Sequence, residues 1–150
     1  MIKIKLDVSL ENYEEYKNRL EKAGFEVDND SKLVLYEEGY NIKTISGKKD
    51  DSYYLIDVEN IVYFHSYGHD IFAITKDKEE YKIKENLTRL EMYLDEKLFI
   101  RISGSIIINI KCIKKVTPQL GLKFKVLLSN NEKVFVNRNY YYKFVEKFNI

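Results

Sequence analysis

Apolar and polar residues alternate with a period of two along most of the chain, broken in three places by helical spacing. "IKIKLDV" (2–8) alternates cleanly and predicts a strand. Ser9 then stands ahead of Tyr13, Tyr16, Leu20 and Ala23, one stripe of a helix that Ser9 caps and Gly24 stops. "FEV" and "KLVLYEE" predict short strands about the turn "DND", so residues 1–42 form a small βαββ-like unit. The polar, glycine-containing "EEGYNIKTISGKKDDS" (37–52) is the candidate linker, with "NIKTIS" inside it a candidate strand.

From Tyr53 onward strand signals crowd together. "YYLIDV", "IVYFHSY", "DIFAIT" and "EEYKIK" come first, with Gly68 marking a turn. Asn86 caps a helix, "LTRLEMYLDE", whose Leu87, Leu90, Tyr93 and Leu94 face inward. "FIRI", "SIIINI", "IKKV", "LKFKVLL" and "KVFV" follow, with "SNNEK" (129–133) as a hairpin turn. Tyr140, Tyr141, Phe144, Val145 and Phe148 are spaced as one side of a closing helix. The pattern predicts a mainly β body, α+β overall.

Composition narrows the class. At 150 residues the chain makes one domain with a small addition. Its 13 Tyr and 8 Phe, with no Trp, suit strands, and the single cysteine, Cys112, excludes an internal disulfide and suits a reducing compartment. "MIKIKLDV" is not a signal-peptide pattern and no apolar run approaches the ~18–20 residues of a membrane span. A cytoplasmic protein is the expectation. The formal charge of +1 conceals a division: residues 1–97 carry −7 and residues 98–150 carry +8, with only Glu132 and Glu146 acidic in the latter. Segregation of this kind suggests a face for a polyanion.

Catalytic and metal patterns do not emerge. His65 and His69 flank a turn rather than share a helix face, and no ligand spacing accompanies them, so neither metal nor cofactor is expected. A hydrolase built on Ser103 or Ser105 with His69 and Asp70 has no nucleophile-elbow glycines, and phosphate-binding glycine patterns are absent. An enzyme is not expected. What stands out instead is polar loops between rigid strands. "SYGHD" (66–70) displays Tyr67 and His69, "SGS" offers Ser103, Gly104 and Ser105, and "VNRNYYYKF" (136–144) offers Asn137, Arg138, Asn139 and Lys143. Each has a bland alternative: an ordinary turn histidine, an arginine paired with a carboxylate, a plain turn. Asn109, a lone amide among isoleucines, reads as a core residue that bonds backbone.

The ordered combination of "LFIRI", "SIIIN" and "VNRNY", after "VENIVYFHSYGHDIFAIT", resembles the LytTR family of bacterial DNA-binding domains over residues 43–150. The resemblance implies an elongated stack of small β-sheets with short helices, whose loops enter successive major grooves of duplex DNA and bend it. It assigns base reading to Arg138, a helping role to His69 and Tyr67, and loop contacts to Ser105 and its neighbours, with Asn109 architectural. Lys111, Lys114, Lys115, Lys123, Lys125 and Lys143 would meet phosphates. Two departures matter. Ser103 and Gly104 stand where members often carry larger contact residues, and residues 1–42 are too short for the receiver domain that many members carry. The expectation is therefore a stand-alone, sequence-specific transcription regulator, with residues 1–42 serving regulation or dimerisation. A homodimer and a small membrane-protein inhibitor are the further partners the resemblance raises. The alternative is a protein-interaction module on the same scaffold with weakened base readout.

Overall fold

On the first strand, β1 (Ile2–Asp7), Ile4 and Leu6 are buried on one face while Lys3, Lys5 and Asp7 take the other, as period-two alternation requires. The structure, a computed structural model, describes residues 1–37 and 41–150. The chain divides into two compact units, 1–40 and 41–150. In the first unit, α1 (Leu10–Lys22) carries β1 over to β2 (Phe25–Val27), and β3 (Val34–Tyr36) pairs on the opposite side of β1. Both pairings are parallel. Gly24 leaves the helix at φ +95, a conformation that glycine takes without penalty. Ser9 occupies the N-cap position but its side chain makes no cap bond, contrary to the expectation from sequence. Its N–H instead donates to Glu37, which also accepts from Asn12. None of the α1 residues is fully buried.

The second unit opens ahead of a strand that takes up the end of the candidate strand "NIKTIS" and runs on past it. The Ile42 N–H donates to the carbonyl of Tyr93 at 3.0 Å, and β4 (Thr44–Lys49) then pairs along its length with β5 (Ser52–Asp57). The stretch 44–49 of the candidate linker 37–52 is thus sheet, and Glu38, Gly39 and Tyr40 lie outside the described residues. Next come β6 (Ile61–Tyr67), β7 (Asp70–Thr75), β8 (Glu80–Ile83), α2 (Leu87–Tyr93), β9 (Phe99–Arg101) and β10 (Ile106–Asn109). Together the strands form one seven-stranded antiparallel sheet in the order β5-β4-β8-β7-β6-β10-β9. The Asn86 side chain caps α2 by accepting the Arg89 N–H at 2.9 Å.

The central strands of this sheet are buried on both faces, which is why they read as near-continuous apolar runs. Phe64, Phe99 and Ile107 face one core with Leu87 and Leu90 of α2 and Leu94 just beyond it. Val62, Ile100, Ile102 and Ile108 face a second core, closed by β11 (Ile113–Gln119), β12 (Lys123–Leu128), β13 (Lys133–Val136) and α3 (Tyr141–Phe148). All five closing aromatic and aliphatic residues predicted from sequence, Tyr140, Tyr141, Phe144, Val145 and Phe148, pack against that second core. Pro118 is tolerated because β11 is an edge strand of its three-stranded sheet. The Tyr63 hydroxyl donates to Glu132, tying β6 to the β12–β13 turn. Burial first, and then Glu132, hold that phenol protonated well above its ordinary range.

Gly47 marks the tightest approach in the sheet. A Cβ there would stand 2.6 Å from the Cβ of Tyr81 and 2.7 Å from Cδ1 of Ile56. Gly47→Ala is therefore expected to destabilise the second unit by about 1–3 kcal/mol, through displacement of Tyr81 and Ile56. Chemical denaturation of the two proteins checks this; equal midpoints would contradict the packing described.

Candidate nucleic-acid interface

Three of the loops displayed by the sequence sit side by side, because backbone hydrogen bonds string them together. The β6–β7 connection is a two-residue hairpin: Tyr67 pairs with Asp70, and Gly68 takes φ +63. A glycine in the first turn position is the II′ pattern, whose twist matches that of the flanking strands. Tyr67 is 78% exposed and His69 is exposed beside it. One residue before Tyr67, the Ser66 N–H donates to the carbonyl of Ser105 at 2.9 Å, which brings the β9–β10 turn alongside the hairpin. On the far side of that turn the Asn137 N–H donates to the carbonyl of Ile102 at 2.9 Å. The segment after β13 is thereby held against the same turn.

Asn137 occupies the N-cap position of a 3-10 turn, Arg138–Tyr140, without a side-chain cap bond, and Arg138 and Asn139 in that turn are exposed. Among the described residues no carboxylate pairs with Arg138. A guanidinium carries a planar fork of donors that suits an outside acceptor.

The three residues of the "SGS" turn play unequal parts. Ser103 is only 4% exposed, and its hydroxyl oxygen accepts the Ser105 N–H at 3.2 Å and lies 3.3 Å from the Ser105 hydroxyl. Gly104 and Ser105 are the exposed members. Behind them stands a residue that sequence reading passed over. Arg101 donates from Nε to the carbonyl of Ser103 (3.1 Å) and from a terminal nitrogen to that of Gly104 (2.9 Å). Its other terminal nitrogen reaches Glu91 at 3.2 Å. Glu91 also pairs with Lys143 at 3.3 Å, so Lys143 is joined to the turn through two side chains and is not free of acid partners. An arginine in the apolar run "LFIRI" was the available signal, since a partly buried guanidinium requires several acceptors.

A fourth loop was also missed. Phe124 of β12 pairs with Val136, and Pro118 of β11 pairs with Phe124. The β11–β12 turn, with Leu120 98% exposed and Gly121 at φ +83, therefore lies at the same end as Asn137–Asn139. The end bears exposed polar and cationic groups carried on paired strands. His65, the other histidine, sits back from it, 3.6 Å from Glu80 and between the rings of Tyr63 and Phe72.

Comparison with known proteins points the same way. The model of the LytTr DNA-binding domain matches residues 51–149. The sensory transduction protein LytT of Enterococcus faecalis is 32% identical over 143 residues, covering 94% of this chain and 59% of that protein. A transcriptional regulatory protein LytR of Staphylococcus aureus is 27% identical over 124 residues, 82% of this chain and 50% of its own. The chain thus spans little more than half the length of these relatives. A solved LytTr DNA-binding domain from Bacillus cereus superposes with a TM-score of 0.70 at 21% identity, over 73% of this chain and all of that one.

Proposed function

The chain belongs to the LytTr DNA-binding domain family, and from that premise we propose that it is a non-catalytic, sequence-specific transcription regulator. Its proposed ligand is duplex DNA, held at the end where the three loops meet. The observation that carries the reading is the row itself: Tyr67 and His69, then Gly104 and Ser105, then Asn137–Asn139, linked by the Ser66–Ser105 and Ile102–Asn137 hydrogen bonds. Arg138 reads a base edge, with bidentate guanine as its natural partner. Tyr67, His69, Asn137 and Asn139 fix position on the backbone or the flanking bases, and Gly104 with Ser105 lets the turn approach closely. Ser103 acts from behind as a brace.

Selection of bound sequences from a random duplex library tests binding and specificity together. Enrichment of one defined motif is expected. Recovery of unenriched sequence at low salt would favour non-specific binding, and recovery of none would leave a protein-interaction module as the better account.

A further inference from the structure

The outer face of the C-terminal three-stranded sheet carries a charge pattern that the loops do not use. Cross-strand pairing places Lys115, Leu127 and Lys133 in one row, Thr117, Lys125 and Phe135 in the next, and Gln119 with Lys123 in a third. The opposite face of the same strands, Phe124, Val126, Leu128, Val134 and Val136, is buried in the second core. Four lysines therefore share a face that includes no Asp or Glu at its outward positions. Among the described residues none of the four is held by a carboxylate, unlike Lys143, Lys82 and Lys49 elsewhere in this unit. Phe135, 49% exposed, stands among them.

The face is continuous with the proposed DNA-binding end. Its third row lies beside Asn137, since Lys123 adjoins Phe124, the partner of Val136. From there the lysines run back along the strands for roughly 14 Å, the length of four residues of antiparallel strand. Like charges collected on an acid-free surface raise the local positive potential, which attracts a polyanion. A sheet face with lysines at this pitch suits successive phosphates of a duplex, and the nearest duplex is the one proposed at the loops.

Resting on the DNA-binding reading, we propose that this face is a second contact surface for DNA. The segment flanking the loop site lies against Lys115, Lys123, Lys125 and Lys133, so that the duplex is drawn around the end of the sheet. The loops read sequence, and the sheet face holds the flank through phosphates alone.

The test uses the full chain and the duplex recovered by selection, presented as a short fragment covering only the motif and as a long one with extended flanks. A Lys115→Gln/Lys125→Gln/Lys133→Gln variant is compared with wild type and with Lys76→Gln/Lys78→Gln/Lys97→Gln, which removes equal charge at the end of the seven-stranded sheet away from the loops. For the first variant, affinity for the long fragment falls at least tenfold relative to the charge-matched control. The slope of log affinity against log salt falls by about 2–3, on the scale of ~0.9 per phosphate contact. On the short fragment the two variants bind alike. Equal affinities and slopes for both variants on the long fragment would overturn the proposal and leave the face to an acidic protein partner. Failure of wild type to bind either fragment would instead overturn the DNA-binding reading on which it rests. The substituted side chains point away from the core, so thermal melting should be unchanged.

Discussion

Arg138→Ala is expected to abolish most discrimination between the selected duplex and a scrambled one while leaving the protein folded. A bidentate arginine–guanine contact contributes about 1–3 kcal/mol of discrimination, roughly 5- to 150-fold. Arg138 is exposed, carries no acidic partner among the described residues, and is aimed from a 3-10 turn anchored through Asn137. Among the described residues its side chain has no ion-pair partner to lose. Arg138→Lys should fail almost as badly, because a point charge cannot reproduce the planar fork. Lys123→Ala, by contrast, should weaken both duplexes in proportion. Titration of each variant with both duplexes decides the matter. If Arg138→Ala keeps the wild-type specificity ratio, base reading belongs to another residue.

Asn109→Ala is expected to do the reverse, lowering stability sharply while sparing sequence preference. Asn109 is 1% exposed. Its amide nitrogen donates to the carbonyls of Ile61 (2.9 Å) and Glu59 (3.4 Å), and its side-chain oxygen accepts the Lys111 N–H (3.0 Å). It thus ties the end of β10 to the entry of β6 and caps the 3-10 turn Ile110–Cys112. Truncation strands these groups in or near the core at about 1–3 kcal/mol for each fully buried one and opens a small cavity. A total on the order of 3 kcal/mol follows, or ~6–12 °C in melting temperature for a chain of this size. Measured well below that temperature, the specificity ratio should match wild type, because Asn109 lies at the end of β10 remote from Gly104. A variant with unchanged melting and lost specificity would make Asn109 a reader instead of a brace.

These two residues show what was and was not legible in the sequence. A lone amide among isoleucines must be satisfied, so the role of Asn109 followed from desolvation cost alone. The strand–turn–strand around Gly68 and the closing amphipathic helix were equally plain, because period and turn chemistry are local signals. The strand β4 was half legible: "NIKTIS" was a candidate strand, but its continuation through "GKK" holds a glycine whose reason, the close packing of Tyr81 and Ile56, lies outside any local window. The parallel pairing of β2 and β3 on either side of β1 is a topological fact with no local signature. The inward turn of Ser103 and the grip of Arg101 on the Ser103 and Gly104 carbonyls depend on register between β9 and β10, which no single window of sequence encodes. The same holds for the sheet face, where lysines far apart in sequence become neighbours only through cross-strand pairing.

The brace also changes the meaning of the small residues in "SGS". Small residues at 103 and 104 leave the loop firm as a structural element, since Arg101, itself paired with Glu91, holds the Ser103 and Gly104 carbonyls from behind. A rigid turn with no protruding side chain at Gly104 lets a phosphate backbone approach closely, at the cost of a base contact. On this account sequence preference rests mainly on Arg138 and the hairpin at Tyr67–Asp70.

The most direct test of the loop-row interface is backbone amide chemical shifts during titration with the selected duplex. The account predicts that the largest changes gather at residues 66–70, 103–106 and 137–140, with little at the opposite end, in the 50–51 and 76–79 turns. Changes concentrated at those opposite turns, or none at 137–140, would contradict it.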